Sequence, residues 1–530
     1  VSTLPDHAVI APILLPMLVG GAMVLIGDRW RGAVAALGLA SMLGLVLLAA
    51  LLVAQADVPS VRVYRLGDWP SLFGIVLVLD RLSALMLLLA ALLGLAAHVF
   101  SLTRWHRAGV HFHPLLQFQL MGLNGAFLTG DLFNLFVFFE VMLAASYGLA
   151  LHGSGPARVR AGLHYLVINL LASALFLIGV SVVYGIAGTL NMADLAIRMR
   201  AIAAEDRALL EAGLAVLGVA FLTKAAMWPL GFWLVGTYAA AAAPAAAILS
   251  MLSKVGIYAI LRVWLLVCGT DGGESAGLGG AWLFIGGLAT IGFGSIAVLA
   301  TQNLARLGGA SVLVSSGTLL AAIGAGRVEV TGGALFYMAS SVLAIGAFFL
   351  LIELLERGRA IGADVLAVTR EAFGSGEEEE TEAADEVGVA IPGTLALLGL
   401  AFIACALLLA GLPPMPGFLA KFAILAAVLG GEQEGPGWAS GALLAAVILS
   451  GLAMLISLLR AGIEIFWASP AERIPRVRLA EFAPVAVLLV LAMGLAVGAG
   501  PAMDYLQSAA RALHAPQEYL RGVAGERAGA

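Results

Sequence analysis

Three lysines carry the first chemical signal in this chain. Among its 28 lysines and arginines only Lys224, Lys254 and Lys421 are lysine. Each lies inside an apolar run: Phe221-Leu222-Thr223-Lys224-Ala225, Leu252-Ser253-Lys254-Val255-Gly256 and Gly417-Phe418-Leu419-Ala420-Lys421-Phe422. Every cation in the polar connections is arginine. Arginine cannot usefully release its proton in a protein, whereas a lysine withdrawn from water does so readily. A charged side chain at mid-bilayer costs about 2.5–3.5 kcal/mol. Three would cost on the order of 10 kcal/mol, comparable to the stability of a whole domain. Such lysines persist only where they face the interior and are paired, hydrated or neutral, which is the setting of a proton relay. The plainer reading is a lysine snorkelling to the interface; it suits Lys421, which follows a helix break, better than Lys224 or Lys254.

One acid matches the lysines. Glu140 ends the segment Leu132-Phe133-Asn134-Leu135-Phe136-Val137-Phe138-Phe139-Glu140, deep in a run of phenylalanines. An isolated carboxylate there must be protonated or paired, and the economical partner is a buried lysine. The pair is either structural or part of the relay. Asp80, in Leu79-Asp80-Arg81-Leu82-Ser83, can pair locally with an arginine at a helix start or join the path. His164 lies in the sixth apolar run, either passing protons between lysines or satisfied in the core. No histidine occurs between His164 and His514. A relay in the second half must therefore use hydroxyls such as Tyr337, Ser340 and Ser341, the lysines, and water.

Other chemistries find no support. The two cysteines, Cys268 and Cys405, sit in apolar runs and read as small buried hydrophobes. No cysteine cluster suits an iron–sulfur centre, no metal-ligand set is present, and no dinucleotide or phosphate-binding glycine loop occurs. The expectation is a non-enzymatic chain without cofactors, driven by an ion gradient or a partner. A charge crossing the membrane potential is worth about 2.3 kcal/mol per 100 mV, enough for a secondary transporter.

The elements that must position these groups follow from composition. Of 530 residues, 62% are hydrophobic and 12% charged, against about 45–50% and about 25% in soluble domains. No soluble fold buries that much apolar surface, which excludes a soluble enzyme, a nucleic-acid binder and a disulfide scaffold. A spanning helix needs roughly 20 apolar residues. Runs at about 8–27, 33–54, 73–100, 112–130, 132–152, 161–187, 209–240, 244–268, 279–300, 306–325, 332–356, 391–430, 440–468 and 481–503 meet that length. They predict an all-α polytopic membrane protein with about fourteen transmembrane helices. The runs are continuous, which excludes a barrel. The first run, lacking a basic segment before it, reads as a retained helix.

Runs seven and twelve are too long for one helix and contain breaks, at Trp228-Pro229-Leu230-Gly231 and at Gly411-Leu412-Pro413-Pro414-Met415-Pro416-Gly417. Proline removes a backbone donor, and broken helices survive in lipid only inside protein or beside water. The breaks lie about 185 residues apart, each ending in Gly-Phe. They suggest two related halves, 112–268 (helices 4–8) and 279–468 (helices 9–13), after helices 1–3 in 1–111 and before helix 14 and a tail in 469–530. Paired broken helices point to the transport site of repeat-built transporters.

Arginines crowd the loops after odd-numbered helices: Arg29, Arg31, Arg104, Arg107, Arg158, Arg160, Arg306, Arg357, Arg359, Arg370, Arg473, Arg476 and Arg478. The positive-inside rule places those loops in the cytoplasm and both termini outside. The net charge of -5 comes largely from an acidic loop at 357–390, rich in glutamate from Glu377 to Glu380. That loop reads as a solvated linker, or as a cation antenna or docking surface for another membrane protein of the same complex.

The segment Gly130-Asp131-Leu132-Phe133-Asn134-Leu135-Phe136-Val137-Phe138-Phe139-Glu140 resembles the fifth-helix signature of antiporter-like membrane subunits. These are shared by respiratory complex I, membrane hydrogenases and Mrp/Pha-type multisubunit cation/proton antiporters. Thr223-Lys224 with Trp228-Pro229-Leu230, Pro244 through Lys254-Val255-Gly256, and Gly411-Leu412-Pro413-Pro414 through Gly417-Phe418 and Lys421 follow in the family's order. The likeness is nearest to the D-type branch of the Mrp/Pha antiporter subunits, through the Asn134–Glu140 stretch and the segment 356–369. It implies two inverted five-helix repeats and a hydrated polar axis. It also implies that Glu140 pairs with Lys224, Lys254 is the central relay and Lys421 gates one side. Departures are Tyr337-Met338-Ala339-Ser340-Ser341, where many relatives carry His and Lys, and Asn303-Leu304-Ala305, where a basic residue is common. No acid in the tenth run mirrors Glu140, so the halves are not equivalent.

The resulting expectation is a multi-pass bacterial inner-membrane subunit, partnered by other membrane subunits, that moves protons in a Na+ or K+/proton antiporter. A buried lysine repels metal cations, which favours the proton branch. The alternatives are a proton-pumping subunit of a complex I-like or hydrogenase redox complex, and a scaffold with an inactive relay.

Overall fold

The computed structural model describes residues 7–58, 60–69, 74–109, 111–269, 272–357, 393–430, 437–468 and 477–524. The acidic loop lies outside the described residues. The apolar runs are helical over most of their described length, because in hydrocarbon each backbone donor and acceptor must be satisfied within the segment. The first six helices are α1 (Ala11–Ile26), α2 (Arg31–Ala56), α3 (Arg81–Ser101), α4 (Phe112–Leu128), α5 (Leu132–Ala150) and α6 (Pro156–Ala187). Run seven divides into α7a (Ala204–Lys224) and α7b (Phe232–Ala240). Then come α8 (Ala243–Ala259, continued through a widened turn to Cys268), α9 (Gly280–Ala300), α10 (Leu304–Gly324) and α11 (Val328–Glu356). Run twelve divides into α12a (Gly393–Ala410) and α12b (Pro416–Gly430), followed by α13 (Gly437–Ile463) and α14 (Leu479–Val497). Among the described residues, eleven helices are long and apolar enough to cross a membrane, and α1 and α12b are shorter apolar helices. The architecture is an all-α polytopic membrane bundle.

One run starts later than its hydropathy suggests. Val76–Leu79 is a strand, paired antiparallel with Arg62–Arg65. Alternating valine and leucine favours the extended form. Helix α3 then starts from Asp80, whose carboxylate accepts the Ser83 amide at 2.9 Å while Ser83 Oγ accepts the Asp80 amide at 2.9 Å, a reciprocal cap. Beyond α14, the tail folds into α15 (Ala499–His514) and α16 (Gln517–Ala524).

The bundle has a buried axis. Helices α8, α10 and α11 are buried almost throughout, and α11 is covered by α3, α8, α10, both halves of helix 12, α14 and α15. Helices α2, α6, α9 and α13 keep large exposed apolar side chains such as Leu47, Leu171, Ile296 and Leu449. Close approach on the axis depends on Gly256, where a Cβ would lie 2.8 Å from the Lys224 carbonyl carbon and still closer to the Ala225 amide. Backbone cannot yield as a side chain does. Gly256→Ala is expected to destabilise the assembled protein by about 1–3 kcal/mol, read as a lower thermal midpoint, together with weaker transport. An unchanged midpoint would contradict the close crossing.

Candidate functional site

The helix breaks create the site. After Lys224 the chain leaves the helix through Ala226, at φ 59°, and the freed amide of Trp228 donates to Thr290 Oγ1 of α9 at 2.9 Å. At the second break Gly411 takes φ 74°. A Cβ on Gly417 would fall 2.7 Å from the Leu408 carbonyl, so α12b begins tightly against α12a. Both breaks reach the surface, at Trp228 and Pro229 and at Pro413 and Pro414, while the Trp228 amide is satisfied within the protein.

Lys224 closes α7a and is buried. Its ammonium lies 5.1 Å from the centroid of the Phe139 ring, a cation–π contact. Glu140 is the carboxylate whose charge reaches it. No ion pair of 4 Å or less joins Glu140 and Lys224 among the described residues; Ser173 Oγ instead donates to Glu140 Oε1. Beside Lys224 lies a cavity of about 10 Å³ lined by Phe139, Tyr165, Asn169, Lys224 and Trp233, close to the space of one water.

Lys254 is the most enclosed of the three lysines. Its Nζ donates to Ser315 Oγ of α10 at 2.8 Å, and Ser315 Oγ donates to Ser341 Oγ of α11 at 3.1 Å. Hydroxyls both give and accept protons, so this is an unbroken amine–hydroxyl–hydroxyl chain across three buried helices. It opens on a cavity of about 10 Å³ lined by Ser311, Ser315, Tyr337, Ser340, Ser341 and Leu408. The Ser340 hydroxyl lies 3.7 Å from the Cβ position of Gly417, at the second break. Beyond that break Lys421 Nζ donates to the Ala410 carbonyl, the last residue of α12a, at 2.9 Å. A cation there meets the negative end of a helix dipole and satisfies a freed carbonyl. The structure thus links Lys254 to Ser341 through Ser315 and sets Ser340 at the break that holds Lys421.

Two expected residues stand elsewhere. His164 lies on the exposed face of α6, its ring 5.5 Å from that of Phe232, and is not brought to the lysines. Asp80 does not pair with the adjacent arginine: Arg81 turns outward to Asp57 at 3.2 Å. Asp80 receives both Nη atoms of Arg262, 182 residues away, at 2.6 and 2.8 Å. The helix cap fixes the carboxylate inward, where that bidentate partner waits. Burial alone would push the Asp80 carboxyl up, but the Arg262 guanidinium and the Ser83 amide and hydroxyl outweigh it and hold the group below the usual carboxylate range. Arg262 also contacts Tyr258 Oη at 3.2 Å and lies over the rings of Tyr258 and Tyr519. A cavity of about 30 Å³ adjoins the pair.

Arg262, Ser173 and Ser315 were missed by sequence reasoning. Arg262 had a signal: it is an arginine within the same apolar run as Lys254, eight residues on, with Tyr258 midway. Positions four apart share a helix face. Ser173 and Ser315 carried no such mark, since serine recurs through these helices.

Buried amines, hydroxyls and one carboxylate, with single-water cavities beside them, form an arrangement suited to moving protons rather than to binding an organic substrate. Comparison with known proteins agrees. Residues 129–450 match the family model described as NADH:quinone oxidoreductase/Mrp antiporter, transmembrane. The chain is 57% identical over 523 residues, 96% of each protein, to the D-type member of a probable K+/H+ antiporter of Rhizobium meliloti strain 1021. It is 32% identical to the D-type member of a Na+/H+ antiporter of Alkalihalophilus pseudofirmus, over 98% of this chain and 100% of that one. In fold it is similar to a chain of the Mrp complex from Dietzia sp. DQ12-45-1b, with a TM-score of 0.83 at 25% identity over 99% of this chain and 100% of the other. It is also similar to a chain of respiratory complex I from Thermus thermophilus, at 0.75 and 21% over 96% and 99%. The chain belongs to the NADH:quinone oxidoreductase/Mrp antiporter family of transmembrane proteins.

Proposed function

We propose that this chain is the proton-translocating membrane subunit of a multisubunit antiporter that exchanges Na+ or K+ for protons, working with other membrane subunits in a bacterial plasma membrane. The observation that carries the reading is the continuous Lys254–Ser315–Ser341 chain on the buried axis, between Lys224 at one helix break and Lys421 at the other. Glu140 and Ser173 set the charge around Lys224, and the Asp80–Arg262 pair closes the end of α8. The D-type relatives, named for K+/H+ and Na+/H+ antiporters, support the ions exchanged. The likeness to complex I proteins is more distant, in sequence over about two thirds of the chain and in fold at 21% identity, and for that reason the redox-driven pump is the second reading. The chain is read as a transporter subunit without redox or nucleotide-hydrolysing chemistry of its own.

The same proposal includes two related units, 112–268 and 279–468, each with one broken helix. It includes cytoplasmic odd-numbered loops and outward termini, supported by the arginine distribution.

The test uses the assembled complex in everted vesicles, reading the pH gradient with a dye after addition of Na+ or K+. Wild type is expected to dissipate the gradient on cation addition, and Lys224→Ala to do so at least tenfold more slowly. Absence of response to either cation would favour the redox-driven pump. A mutant response equal to wild type would remove Lys224 from the path.

A further inference from the structure

Helix α6 turns three polar side chains to one buried face. Tyr165, Asn169 and Ser173 follow one another at intervals of four residues, so they share a side of the helix. Each is more than nine-tenths buried. Ser173 Oγ donates to Glu140 Oε1 of α5. Asn169 Nδ2 donates to the Tyr165 carbonyl at 2.9 Å, and no described residue donates to its Oδ1. Tyr165 Oη lies 2.6 Å from Ser146 Oγ of α5. Ser146 gives its one proton to the Leu143 carbonyl at 2.9 Å, so Tyr165 is the donor in that pair. The phenol oxygen is left with acceptor capacity alone.

The cavity of about 10 Å³ beside Lys224 collects these acceptors. Its nitrogen- and oxygen-bearing lining side chains are Tyr165, Asn169, Lys224 and Trp233. Trp233 Nε1 already donates to the Thr223 carbonyl at 3.3 Å. Lys224 Nζ donates to none of the described residues and rests against the Phe139 ring. An ammonium carries three N–H donors, and interiors satisfy such groups with water where protein does not. The volume admits one water, which needs two to four polar partners. One arrangement uses every remaining group: the water accepts from Lys224 Nζ and donates to Asn169 Oδ1 and Tyr165 Oη. Its protons are then committed to α6, and its lone pair faces the lysine. A neutral amine needs a proton from the water instead, which forfeits one of the two acceptors. The other charged group acting on Lys224 is Glu140 of α5, and Tyr238 of α7b acts on Tyr165. Helix α8 contributes the apolar Leu252.

We propose that Asn169 and Tyr165 are positioning residues: they hold one water with its lone pair toward Lys224 and so favour the charged lysine. The inference rests on the reading of Lys224 as a relay group and adds a control to it. The orientation of the water sets how readily Lys224 gives up its proton.

In the assembled complex with 15N-labelled lysine, the Lys224 Nζ signal, identified by its loss in Lys224→Gln, is followed against pH by NMR. Tyr165→Phe removes the hydroxyl alone, and Asn169→Leu removes the amide at similar size. Each is expected to lower the pH of half-protonation by about half a unit or more, the worth of one hydrogen bond to the charged form. Asn169→Asp keeps the shape, places a negative charge against the water and is expected to raise it. A general loosening of the packing does not give shifts of opposite sign. Cation-driven proton flux in everted vesicles is read in parallel, and its alkaline limb should move to lower pH in Tyr165→Phe and Asn169→Leu. An unchanged midpoint in either variant, or a shift of Asn169→Asp in the same direction as Asn169→Leu, would overturn the positioning role and leave the antiport reading intact. Shifted midpoints with an unmoved flux profile would remove Lys224 from the proton path and leave the water site standing.

Discussion

Replacing Lys254 by methionine is expected to abolish cation-dependent proton flux, a loss of at least a hundredfold, while the complex still assembles. Methionine fills the space of the aliphatic stem without the amine, and Ser315 keeps its bond to Ser341. The mechanism demands more than a positive charge. Lys254 must hand a proton to Ser315 and be reprotonated, so Lys254→Arg should be as inactive as Lys254→Met, because guanidinium holds its proton. Dye-monitored gradient collapse in everted vesicles distinguishes the cases. An active Arg variant would mean that the residue supplies a field rather than a proton. Ser315→Ala supplies the companion result: it cuts the chain after its first link and should slow flux about tenfold or more, since general acid–base groups contribute about 10²–10⁴-fold.

The second large effect concerns stability. Arg262→Met leaves Asp80 without its bidentate partner, and breaking a buried ion pair by removing one member costs about 3–5 kcal/mol. The thermal midpoint of the purified assembly should fall accordingly, and the double variant Asp80→Asn with Arg262→Met should recover most of the loss. Flux separates structure from transport. If the pair closes the end of the path, the double variant regains stability but exchanges ions with altered rate. Full recovery of both would make the pair a structural tie alone.

These predictions rest on contacts of different legibility. The three lysines stood out because each is a cation able to release its proton inside an apolar run, and Ser340 and Ser341 because the second half lacks histidine; the structure buries all five. The partner of Asp80 was not. In chain order Arg81 is adjacent, yet the helix cap turns the Asp80 carboxylate toward α8 and Arg81 away. His164 shows the complementary limit. A histidine within an apolar helix looks the same whether it faces the core or the outside, and the fold turns it outward. The third run began with a strand that hydropathy alone could not separate from helix, since both are apolar there.

By itself the sequence determined the solvent, the helical class and the two breaks. Lipid demands long contiguous apolar segments, and a charged side chain within them is costly enough to stand out. Only the tertiary structure decided which polar groups meet: Ser315 with Lys254, and Arg262 with Asp80. The reason is physical. In a soluble helix an apolar stripe marks the buried face, but a helix in lipid is apolar on its inner and outer faces alike. The direction of each side chain is therefore settled by packing between helices, which the linear pattern does not encode.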